Sequence, residues 1–80
     1  MGLDQRLAYL AKQASRAWHK TGDDRAGEEA RSTAANLLVS AQREGDEQTV
    51  ADVRTAQTFL GHHQTANHAE DIFEDLELRL

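Results

Sequence analysis

Between Ala26 and Leu60 the apolar positions recur at steps of three and four, first as Ala26, Ala30, Ala34, Leu37, Leu38 and Ala41, then as Val50, Val53, Ala56 and Leu60. That is the period of one face of an α-helix, so the stretch predicts two helices. Arg43-Glu44-Gly45-Asp46 separates them. Gly45 is suited to a left-handed helix stop and Asp46 to the N-cap of the next helix. A connection this short forces the two helices to run antiparallel.

The same logic extends to both ends. Leu3, Leu7, Leu10, Ala14 and Ala17 form a heptad-like seam with Tyr9 and Trp18 beside it. The seam is too short for a coiled coil, so it predicts a helix lying along a bundle, with Trp18 as a core anchor. Gly22 marks its end, and Asp23 or Asp24 caps the next helix. Gly27 is costly in that first turn, which predicts either a later start or the close approach of another backbone. After Gly61, Ala69, Ile72, Phe73, Leu76 and Leu80 return at helical spacing, while Leu78 falls off the stripe. Thr65 or Asn67 would cap this last helix, Asn67 with Glu70 having the spacing of a capping box.

Stops and starts therefore agree with the periodicity. They predict one all-α domain over residues 1–80, a small antiparallel bundle of about four helices at roughly 3–20, 24–44, 47–60 and 66–79. An orthogonal array of α-hairpins is the alternative.

Composition sharpens this reading. The chain has 80 residues, 39% of them hydrophobic, and neither cysteine nor proline. Thirteen of the apolar residues are alanines. A core this lean requires close helix approach, or completion by a partner or a second copy. The absence of cysteine rules out a disulfide scaffold, and nothing in the sequence suggests an oxidising compartment. No stretch has the apolar length of a membrane span, and Met-Gly-Leu-Asp-Gln-Arg has no apolar run behind a basic start, so a soluble cytoplasmic protein is expected.

Net charge is −5, unevenly spread: +3 over residues 1–20, −4 over 21–61 and −4 over 62–80. The basic first and acidic last helices are expected to lie side by side, or the acidic end faces a basic partner.

Candidate chemistry is sparse. His62, His63 and His68 crowd beside Glu70 and Asp71, but only His68 and Asp71 have ligand spacing on a helix, and Thr65 stands where a di-iron Glu-x-x-His motif needs its carboxylate. Ser15, Ser32 and Ser40 lie within helices, without a nucleophile elbow, and no glycine-rich loop follows a strand. No enzyme, metal or cofactor is expected. A helix-turn-helix over Thr49 to His68 is the DNA-binding alternative, although its recognition helix would carry Glu70, Asp71, Glu74 and Asp75. The arginines at 25, 31, 43 and 54 make no basic stripe, so nucleic acid is not the expected partner.

What is left is a small acidic helical module for protein–protein interaction, serving as adaptor, regulator or inhibitor. Its expected docking residues are Phe73, Leu76, Leu78 and Leu80 between the carboxylates of Glu70, Asp71, Glu74 and Asp75, an acidic-hydrophobic helix suited to a basic-rimmed groove. A phage-type inhibitor mimicking nucleic-acid charge is a further alternative, and the leucine seam of the first helix suggests a homodimer.

Overall fold

The computed structural model describes residues 2–80. Four helices follow one another: α1 (Leu3–Thr21), α2 (Asp24–Glu44), α3 (Glu47–Phe59) and α4 (Ala66–Arg79), with a single 3₁₀ turn at His63–Thr65 before α4. α1 packs against α2 and α4, and α3 against the same two. Connections are short and neighbours antiparallel, so the chain forms an up-down-up-down bundle rather than an orthogonal array.

The reversals follow from local chemistry. Gly22 sits at φ 67° and donates its N–H to the Trp18 carbonyl. Asp23 then caps α2 by accepting from the Arg25 N–H at 3.0 Å. Gly45, at φ 71°, forms a paired C-terminal stop, its N–H reaching the Gln42 carbonyl and the Asp46 N–H that of Ala41. Only glycine takes that left-handed geometry at no steric cost. Asp46 caps α3 with both carboxylate oxygens, one accepting from the Thr49 N–H and the other from the Thr49 hydroxyl. Those hydrogen bonds hold its carboxyl below the ordinary value of 3.8.

α4 starts differently from expectation. No capping box forms, because the helix opens at Ala66 and Asn67 lies inside its first turn, its Oδ1 buried without a partner. Thr65 occupies the cap position but spends its hydroxyl on the carbonyls of Phe59 and His62. That ties the α3–α4 connection together instead.

The core explains how a lean chain folds. Of the 15 buried apolar residues among those described, nine are alanines, with Trp18, Leu37, Val53, Leu60, Phe73 and Leu76 supplying the bulk. Small side chains bring helix axes close, and the few large ones fill what remains. Trp18 is a core residue, as expected. Gly27 is its counterpart: α2 does not start later and, among the described residues, no backbone approaches, but a Cβ there would stand 2.5 Å from the indole Cε2, so it is a side chain, the Trp18 ring, that the glycine admits.

The seam of α1 departs from its expected role. Leu3 and Leu10 are exposed at 64% and 46%, Ala17 is exposed and Leu7 half-buried; only Ala14 is buried. The face turned inward is Asp4, Ala8, Ala11, Ala14, Ser15 and Trp18. α1 packs against two helices at once, and that demands small residues at the line of closest approach. Ser15 is tolerated because its hydroxyl donates to the Ala11 carbonyl at 2.7 Å.

Candidate functional site

The basic α1 and acidic α4 do lie side by side. Lys12 Nζ meets Glu77 Oε1 at 2.6 Å, and Gln5 Nε2 donates to the Glu77 carbonyl. The Glu77 hydrogen bond raises the Lys12 pKa above its ordinary value. On the other flank of α4, Arg79 reaches Asp52 and the Thr49 hydroxyl on α3. Glu77 and Arg79 thus hold α4 in place and are not free for a partner.

The remaining residues of α4 divide into two groups. Phe73 and Leu76 are 0% and 1% exposed, so these two expected docking residues belong to the core and cannot present themselves to a partner. They lie where α4 meets its neighbours, and the bundle has little other bulk to close itself. Leu78 is 80% exposed. Asp71, Glu74 and Asp75 are exposed too, and at seven, four and three residues before Leu78 they share its outward face. Glu70 is half-buried, and Leu80 at 36% lies at the helix end. What α4 exposes is therefore an acidic ridge with one large apolar side chain on it, narrower than the expected docking set.

The histidines do not converge. His63 stands 6.4 Å from the Trp18 ring and His68 5.0 Å from that of Phe59. Among the described residues, no three His, Cys, Asp or Glu side chains come together as a metal site would require. The groove between the end of α2 and α3 is lined by Gln42, Gly45, Glu47, Val50, Ala51 and Arg54, without a nucleophile paired to a base. Arg31 lies over the Trp18 ring at 4.9 Å, a cation–π contact that sequence spacing did not suggest. No described helix is long and apolar enough to cross a membrane.

One carboxylate pair lies where α1 meets the end of α2. Asp4 is 7% exposed and accepts from the Ser40 hydroxyl, which also approaches Glu44 at 3.4 Å. Hydrogen bonding to the Asp4 carboxyl, and then its charge, push the Glu44 pKa above its ordinary 4.5. An acid with a raised folded-state pKa contributes stability below its unfolded value and loses it as pH rises through the folded one. At neutral pH the pair is therefore a liability. Glu44→Gln is expected to raise the thermal midpoint at about pH 7 and to leave it unchanged below about pH 4. Calorimetry across that range checks it, and an unchanged midpoint at neutral pH would contradict the pairing.

Comparison with protein-family models, curated proteins and solved structures found no match. The functional reading rests on the geometry of the chain.

Proposed function

We propose that this chain is a protein-binding module, acting as an adaptor, regulator or inhibitor, which docks through the outward face of α4. The observation that supports this is Leu78, 80% exposed on a face it shares with Asp71, Glu74 and Asp75. Burying one leucine contributes about 1.5–3 kcal/mol, while the surrounding carboxylates choose the partner by charge. The partner surface that fits is an apolar pocket rimmed by lysine or arginine. Duplex DNA suits the ridge poorly, because its phosphates would face the same three carboxylates.

Ionic strength and DNA provide the test. A protein captured by the tagged chain should be held at about 50 mM salt and released by about 500 mM, as exposed charges become screened. Duplex DNA should show no mobility shift at the lower salt. A salt-dependent shift would reverse the assignment in favour of the helix-turn-helix alternative.

A further inference from the structure

The face formed jointly by α1 and α2 has a pattern that neither the core nor α4 uses. On α1, Leu3, Leu10 and Ala17 stand two turns apart on one outward line, and all three are exposed. On α2, Glu29, Asn36 and Arg43 do the same, with Ser32 and Val39 between them. The two lines are in register. Leu3 and Leu7 share a shallow groove with Asn36, Val39 and Arg43, Asp4 meets Ser40, and Trp18 packs on Gly27. Leu3 and Arg43 border the same groove, and carried along two antiparallel helices that register brings Leu10 to within about one turn of the level of Asn36, and Ala17 to within about one turn of that of Glu29.

This arrangement is complementary to itself when reversed. We propose that the α1–α2 face is closed by a second copy of this chain, about a two-fold axis at the level of Leu10 and Asn36, perpendicular to the helices. Such an axis sets α1 antiparallel to its partner, α2 likewise, and an isologous interface results. Leu10 meets its own copy at the centre, and each Leu3 projects towards the small Ala17 of the other chain. Asn36 meets Asn36, so their amides can exchange hydrogen bonds. Arg43 falls opposite Glu29 at both ends. Among the described residues neither Arg43 nor Glu29 makes an ion pair within its own chain, so the pairing supplies the charge complementarity that selects a second copy as occupant. A two-fold parallel to the helices would instead set Leu3 against Arg43 and Leu10 against Asn36, and gains neither match.

The interface is separate from the α4 ridge. α4 meets α1 through Gln5 and Lys12, and although Leu10 borders a groove with Arg6, Tyr9 and Glu77, Glu77 is one residue from Leu78, about 100° round α4 from the ridge. A dimer would therefore display two acidic ridges, and either proposal can fail without the other.

The experiment combines light scattering with cysteine trapping, which the chain's lack of cysteine makes clean. The wild type should show a mass near twice 8.9 kDa. Leu10→Cys should give a disulfide-linked dimer on mild oxidation, whereas Thr55→Cys, exposed on α3, should not. Arg43→Glu should shift the mass towards the monomer, and adding Glu29→Lys to the same chain should restore it. All of these positions are exposed, and circular dichroism should stay helical throughout. A wild-type mass of 8.9 kDa at every concentration, or a dimer that Leu10→Cys does not link and Arg43→Glu does not weaken, would overturn the proposal.

Discussion

Phe73→Ala is expected to lower the thermal midpoint by at least about 12 °C. Phe73 is fully buried and is among the few large side chains in a core made mostly of alanine. Truncating a buried phenylalanine costs about 3–5 kcal/mol, part of it for the cavity left behind. Alanine neighbours have no rotamers with which to fill that space, so the upper half of the range is the better guide here. An 80-residue domain has about 4–12 kcal/mol of stability in all. Each kcal/mol moves the midpoint of a domain this size by about 4–8 °C. Calorimetry of the purified variant decides the matter. A drop of only a few degrees would mean that Phe73 does not hold the bundle together.

The junction of Trp18 with Gly27 carries the second large effect. Trp18 is 6% exposed, with the Gly27 backbone against its ring and the Arg31 guanidinium 4.9 Å from the ring centre. Trp18→Ala should cost about 3–5 kcal/mol. Gly27→Ala should also destabilise, although alanine is the better helix former. Its Cβ would displace the indole, an overpacking cost of about 1–3 kcal/mol, against a propensity gain of up to about 1 kcal/mol. The decisive result is the combination. With the ring gone the clash disappears, so Gly27→Ala should become neutral or stabilising in the Trp18→Ala background. Denaturant unfolding of the four proteins measures the coupling directly. Strictly additive effects would show that ring and glycine do not constrain each other.

The helices and their ends were legible because local rules set them. Gly22, Gly45, Asp23 and Asp46 act through their own backbone and near neighbours, and their roles do not depend on the rest of the fold. Trp18 was legible as well, since a chain so poor in large side chains has few other places for one. What local pattern could not settle was which stripe of α1 turns inward. Two stripes lie close together on that helix, one of leucine and one of alanine and serine, and apolar weight points to the first. The number of neighbours α1 must approach decides for the second. The same competition withdrew Phe73 and Leu76 from the exposed face of α4: an acidic-hydrophobic helix reads alike whether its apolar residues serve a core or a partner. Leu78 was separable because it breaks the stripe. Asn67 misled for a related reason, because capping-box spacing cannot show that Thr65 is engaged with the Phe59 carbonyl and that the helix has begun by Ala66.

The most direct test of the binding assignment is quantitative capture of partners by the tagged chain and by Leu78→Lys, side by side, on nuclease-treated lysate of its native source. Leu78 is 80% exposed, so the substitution leaves the bundle intact, as circular dichroism will verify. The account predicts a stoichiometric protein that survives nuclease with the wild type and is lost with Leu78→Lys. Equal capture by both chains, or a partner that disappears with nuclease, would contradict it.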